Sequence, residues 1–280
     1  MRRMAVVVIA GALGVLRACS DYGSSGDETT PDASIDASVA DAANDAVVDA
    51  LSEDAASADA THPYVAAVLA DEPIAYFRVE ETSGAVAHDL VSGKGAGFFG
   101  TIELAQPGVL DGSLALGIAN SGGIEILEGY DFSGIHPYSI EVWFRADSYP
   151  NTYAFLANGF LLTDAGRTNT ALWVDLVSET AAAERYVAND AAFAAGALPD
   201  AGSFHHAVST YDGTMLRFYV DGVFVSEVAD SRPFPDGGGR FYFGAAGPDN
   251  ASITGVIDEL AVYDKALAAS RVLAHYDAAK

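Results

Sequence analysis

Residues 203–225 read Ser203-Phe204-His205-His206-Ala207-Val208-Ser209-Thr210-Tyr211-Asp212-Gly213-Thr214-Met215-Leu216-Arg217-Phe218-Tyr219-Val220-Asp221-Gly222-Val223-Phe224-Val225. Asp221-Gly222 lies between two β-rich runs and predicts a type I′ hairpin turn, because both central positions accept positive φ at low cost. Asp212-Gly213 predicts a second such turn just upstream. The stretch therefore predicts a three-stranded antiparallel meander.

The same grammar extends outward. Short β-rich runs bounded by Gly, Asp, Asn and Pro occur at 75–79, 124–127, 139–145, 171–177, 205–211, 216–220, 224–228, 241–243 and 256–263. Many short strands without alternating helices predict an antiparallel sandwich or barrel, not a βαβ fold. The spacing predicts a short helix over Tyr64–Ala70, ended by Pro73. It predicts a second over Leu267–Tyr276, with Leu267, Val272 and Tyr276 along the side that packs on the sheets.

The chain has 280 residues, a net charge of −25 and one cysteine. A nucleic-acid binder needs a basic footprint to replace phosphate counterions, so that class is excluded. A lone cysteine closes no intramolecular disulfide and supplies neither a Cys₄ nor a Cys₂His₂ zinc site. The charge is unevenly spread: +3 over residues 1–19, −11 over 20–61 and −17 over 62–280.

Arg2 and Arg3 precede a continuous run of apolar and glycine residues from Met4 to Leu16. That run is shorter than the ~20 residues of a membrane-spanning helix. The segment resembles a bacterial lipoprotein signal peptide, which implies that Cys19 becomes the lipidated first residue and anchors the chain to a membrane. Arg17 departs from the small residue usual two places before the cysteine. Ser20, where an aspartate would imply inner-membrane retention, implies an outer-membrane or cell-surface lipoprotein. An ordinary secretory signal, giving a secreted or periplasmic protein, is the alternative. Residues 20–61 combine Asp, Ala, Ser and Thr without a basic residue and read as a disordered acidic tether. The folded domain is expected over 62–280.

Four segments carry a family resemblance. The 203–222 stretch resembles the "WHHVAVTYDG…LYVDG" core of laminin G-like and pentraxin-like domains, with Phe204, Ala207 and Ser209 as departures. Ala75-Tyr76-Phe77-Arg78-Val79-Glu80-Glu81-Thr82-Ser83-Gly84 resembles their opening strand. Ser139-Ile140-Glu141-Val142-Trp143-Phe144 resembles "TVEAWV", and Gly255-Val256-Ile257-Asp258-Glu259-Leu260-Ala261-Val262-Tyr263 resembles "GxIDEVxIY". The resemblance implies an all-β concanavalin A-like jelly-roll β-sandwich of two antiparallel sheets with short flanking helices. That superfamily hosts binding modules and glycan-cleaving enzymes, so the fold alone does not decide function.

Glucanase chemistry of the related type needs carboxylates at period-two spacing on one strand, as in Glu-x-Asp-x-Glu. No such run exists in the sequence, nor does Gly-x-Ser-x-Gly or His-Glu-x-x-His. A non-enzymatic module is expected. His205 and His206 are adjacent on a strand and point to opposite faces, so they read as structural, not as a chelating pair. His62, His88, His136 and His275 carry no motif.

By resemblance, a calcium ion is expected between Asp258 and the opening loop, with Glu81, Asp89 and the Gly84 carbonyl as oxygen ligands. The alternative is that Asp258 satisfies turn amides and Asp89 caps its own loop. For sugar stacking, alternation puts Ile140, Val142 and Phe144 on a core face and Glu141, Trp143 and Arg145 on the other. The latter reads as a half-open surface, with Trp143 alternatively a core residue. Trp173 and Asp175 alternate likewise against Leu172, Val174 and Leu176. The expected partner is an extracellular glycan, or alternatively an envelope protein bound through sheet edges and loops.

Overall fold

The computed structural model describes residues 62–163, 166–236, 239–247 and 250–280. The signal segment with Cys19 and the acidic tether lie outside the described residues. Helix α1 (Pro63–Ala70) opens with proline at its first position, and His62 Nδ1 accepts from the Tyr64 amide at 3.2 Å. Strands follow as β1 (Ala75–Phe77), β2 (Val86–His88), β3 (Gly95–Pro107), β4 (Leu114–Ile126), β5 (Tyr138–Ser148), β6 (Tyr153–Thr163) and β7 (Gly166–Asp175). Then come β8 (Thr180–Val187), β9 (Asp190–Ala197), β10 (His205–Tyr211), β11 (Met215–Val220), β12 (Val223–Ala229), β13 (Arg240–Gly244) and β14 (Thr254–Tyr263), before helix α2 (Ala269–Ala278).

Every strand pair is antiparallel, and the strands form a jelly-roll sandwich of two sheets. The first sheet runs β12-β11-β10-β5-β14 and takes in the first half of β4, with β1 against the last part of β14. The second runs from the last part of β4 through β13-β6-β7-β8-β9. β4 thus belongs to both sheets, and it turns between them at Asn120 (φ 44°) and Ser121 (φ 71°). β3 follows that bend at Gly100 (φ 68°), where a Cβ would stand 2.2 Å from the Ser121 carbonyl oxygen. Only glycine permits that approach.

The core lies between the sheets. Ile140, Val142, Phe144, Phe218 and Ile257 from the first sheet meet Leu156, Leu172, Val174, Phe241 and Phe243 from the second. At Asp221 (φ 51°) and Gly222 (φ 74°) the predicted type I′ turn is present. The upstream turn differs. Tyr211 pairs Leu216, so the tip is Gly213-Thr214, with positive φ at Gly213 alone, as in a type II′ turn.

The two outer faces are treated differently. Tyr64, Val65 and Val68 of α1 and Val272 of α2 form a second apolar cluster with Tyr76, Trp143, Val208, Tyr219 and Tyr263 on the outside of the first sheet. No helix among the described residues contributes to a corresponding cluster on the second sheet's outer face.

Candidate functional site

The sealed face corrects one expectation. Glu141 and Trp143 do alternate away from the core, but both are 0% exposed beneath the helices. Trp143 stacks on His206 (centroids 4.8 Å apart) and on Tyr276 of α2 (5.7 Å, 9° between planes), and being fully buried it offers no ring face to a sugar. Arg145, at the rim, donates to Asp147 and lies over Phe204. The half-open surface read from alternation is therefore a buried helix-packing surface.

Glu141 is the hub of that surface. Its carboxylate accepts from the hydroxyls of Tyr64 and Tyr263 (both 2.8 Å) and engages His206 Nε2 (2.7 Å) and His275 Nδ1 (3.0 Å). His275 Nε2 continues to Asp71 at 2.9 Å, and Arg271 donates to the same carboxylate oxygen at 2.7 Å. Burial pushes Glu141 up, but His275 and His206 outweigh it and hold the carboxyl well below its ordinary range. His275 carried no motif. Its signal was position: together with Val272 and Tyr276 it lies on one stripe of α2, where a buried polar group needs a partner.

The expected calcium donors do not converge. Asp258 accepts from the amides of Val109 (2.8 Å) and Glu259 (2.9 Å). Asp89 accepts from the amides of Tyr76 (2.8 Å), Val91 (3.0 Å) and Ser92 (3.2 Å). Glu81 accepts from the His88 amide at 2.8 Å, and Gly84 sits on an exposed turn. Asp258, Asp89 and one oxygen of Glu81 are committed to separate backbone donors, the other Glu81 oxygen is buried with no partner among the described residues, and among these no group of three or more His, Cys, Asp or Glu side chains is placed to hold a metal. The set does not fit the oxygen cage that calcium requires.

The outer face of the second sheet carries the remaining constellation. On β7, Leu172 and Val174 point to the core while Arg167, Asn169, Ala171, Trp173 and Asp175 point outward. Strand register places Glu125, Tyr242, Asn158, Ala171, Glu184 and Phe193 in one row across five neighbouring pairings. Small Ala171 stands mid-row between taller neighbours. Beside it, Trp173 is half-buried, adjoins Ala182 and Phe155, and meets Phe193 at 6.2 Å. Phe193 and Tyr153 are 53% and 41% exposed.

Polar groups are built into this aromatic surface. Trp173 Nε1 donates to Glu184 Oε2 at 3.0 Å, and Asn169 Nδ2 donates to Glu184 Oε1 at 3.2 Å. Burial pushes the Glu184 carboxyl up, opposed by Asn169, Arg167 and Trp173. Tyr242 donates to Glu125 at 3.0 Å at the far end of the row, where Arg240 also binds Glu125. Asn158 and Asn169 are 4% and 2% exposed, and the Oδ1 of each has no donor among the described residues. Buried amide oxygens take a hydrogen from somewhere. Next to Asn169 lies a small cleft walled mainly by Tyr130, Phe132, Phe234 and Phe241, with Phe160 and Arg240 also in its wall. Trp173 and Asp175 were legible as an alternating pair; Glu184, Asn169 and Asn158 were not, because nothing local in an alanine-rich run marks them.

Comparison with solved structures finds the same architecture. Domain 4 of an extracellular GH43 arabinanase from Geobacillus stearothermophilus, in complex with arabinotriose, is 18% identical with a TM-score of 0.57, covering 74% of this chain and 98% of that one. The binding domain of botulinum neurotoxin serotype D is 11% identical with a TM-score of 0.58, covering 75% of this chain and 52% of that one. Trypanosoma rangeli sialidase, in complex with 2,3-difluoro-KDN, is 15% identical with a TM-score of 0.54, covering 73% of this chain and 32% of that one. The chain thus spans about half of the toxin domain and a third of the sialidase. Comparison with curated proteins gave no match. The family described as the concanavalin A-like lectin/glucanases superfamily matches residues 119–273, from the β4 bend to α2, and on this match together with the two-sheet jelly roll the chain belongs to that superfamily.

Proposed function

We propose that the chain is a non-enzymatic, surface-tethered module that binds an extracellular carbohydrate on the open face of its second sheet. The observation that carries this reading is the constellation of Trp173, Glu184 and Asn169. An aromatic ring for a sugar's apolar face is fixed beside a carboxylate and an acceptor oxygen that needs a donor. The row from Tyr242 to Phe193 crosses four strand spacings, about 19 Å, which suits an oligosaccharide.

The same spacing supports a non-catalytic role. Glu125 and Glu184 are also four strands apart, about 19 Å, whereas retaining and inverting glycosidases hold their carboxylates within ~10 Å. A glycan array with native chain and Trp173→Ala tests the reading. Binding that disappears in the variant supports it. Product release from a polysaccharide, or capture of envelope proteins without any glycan signal, overturns it.

For location we propose export and lipidation at Cys19, with residues 20–61 as an extended tether to the outer membrane, on the strength of the basic, apolar and cysteine order of residues 1–19. Incorporation of labelled fatty acid into the native chain but not into Cys19→Ala is the expected result. Equal labelling of both contradicts it.

A further inference from the structure

The domain over residues 62–280 has a net charge of −17, and its arginines are almost all spent on its own acids. Arg78, Arg145, Arg185, Arg217, Arg232, Arg240 and Arg271 each pair with a carboxylate. Arg167 is the one described arginine for which no carboxylate among the described residues lies within ion-pair distance. It is also on the open face, two residues from Asn169 along β7, a step of about 6.6 Å.

Arg167 is held in a defined pose. Its guanidinium carbon lies 4.4 Å from the ring centroid of Tyr186, on the neighbouring strand. Stacking on an aromatic ring keeps the planar fork open for bidentate contact. Its Nε is buried without an acceptor. Glu184 faces it and feels its charge, but the Glu184 oxygens are engaged by Trp173 and Asn169. An unspent guanidinium therefore stands on the same face as the unspent Oδ1 of Asn169, two residues along β7.

We propose that Arg167 forms an anion subsite at this end of the open face, and that the ligand is an acidic glycan whose carboxylate or sulfate meets Arg167 while an adjacent hydroxyl donates to Asn169. A charged planar group with hydroxyls a few ångströms away is the chemical complement of the pair. This rests on the carbohydrate-binding reading above and narrows it to acidic sugars.

The test uses matched neutral, carboxylated and sulfated oligosaccharides against the full chain, Arg167→Gln, Arg167→Lys and Trp173→Ala, with affinities from calorimetry at low and high salt. The native chain is expected to bind an acidic member at least tenfold more tightly than its neutral counterpart. Arg167→Gln loses that preference and its salt dependence while keeping neutral binding, and Arg167→Lys falls between. The preferred arm names the anion as carboxylate or sulfate. Equal native affinity for neutral and acidic members, with Arg167→Gln unchanged, overturns the subsite and leaves the Trp173 surface standing. Absence of any glycan binding by the native chain overturns both.

Discussion

His275 Nδ1 meets Glu141 Oε2 at 3.0 Å, joining the C-terminal helix to the middle of the first sheet across 134 residues of chain. Glu141 sits in a row between Ala261 and Val208, so its charge is tolerated only because four side chains bind it. Removing one partner of a buried pair typically costs about 3–5 kcal/mol, since the other is left uncompensated. Glu141→Gln is therefore expected to destabilise the domain by ~3 kcal/mol in denaturant unfolding. A change below ~1 kcal/mol contradicts the hub assignment.

Stability is expected to be highest at mildly acidic pH. Burial pulls His275 down, but Glu141 and Asp71 outweigh it and leave the imidazole above its ordinary 6.5. Its contribution is complete below 6.5 and is lost as pH rises through the folded value. Glu141, held low, contributes above 4.5 and loses this only as pH falls through its folded value. Asp258 and Glu259 act in the same sense as His275. Burial raises both, and Glu259 shares Arg78 with Glu80 while Asp258 has only backbone amides, so the pair retains a proton that the unfolded chain releases. The midpoint of thermal unfolding should fall between about pH 6 and 8, and His275→Gln should flatten that fall. A midpoint that climbs steadily over this range contradicts the assignment.

Asp221 serves two purposes. It forms the hairpin turn, and its carboxylate accepts from the His206 amide and engages His205 Nδ1, both at 2.9 Å. Asp221→Asn keeps the turn and weakens the acceptor, whereas Asp221→Ala loses both. The expected ordering is a loss of ~1 kcal/mol for asparagine and about 2 kcal/mol for alanine in unfolding experiments. Equal stabilities would show that the side chain contributes nothing beyond the turn.

Added calcium is expected to leave the thermal midpoint unchanged, because Asp258, Asp89 and Glu81 are turned to separate amides. A ligand that binds only the folded state raises the midpoint with concentration. A saturating upward shift with calcium would show that these side chains regroup around the ion.

Sequence legibility followed the physics of each element. β10 was read to its residue limits, and β5, β11, β12, β13 and β14 nearly so, because β-branched and aromatic residues alternate between turn signals there. β8, Thr-Ala-Ala-Ala-Glu-Arg-Tyr-Val, and β9, Asp-Ala-Ala-Phe-Ala-Ala-Gly-Ala, carry no strand signal, since alanine has low strand propensity and only the pairing of β8 with β7 and of β9 with β8 makes them strands. The site divided in the same way. Period-two alternation assigned Trp143 and Trp173 to outward faces but is blind to what covers a face. Helices separated from β5 by more than 60 residues of chain buried Trp143 and left Trp173 half-open.

The most direct measurement is the affinity of the native chain and Trp173→Ala for the oligosaccharides that a glycan array selects, alongside the unfolding free energy of each. The account predicts that the variant loses at least tenfold in affinity while its fold persists, because Trp173 stands outside both apolar clusters. Unchanged glycan affinity in a folded Trp173→Ala chain would contradict the claim that the open face is the binding surface.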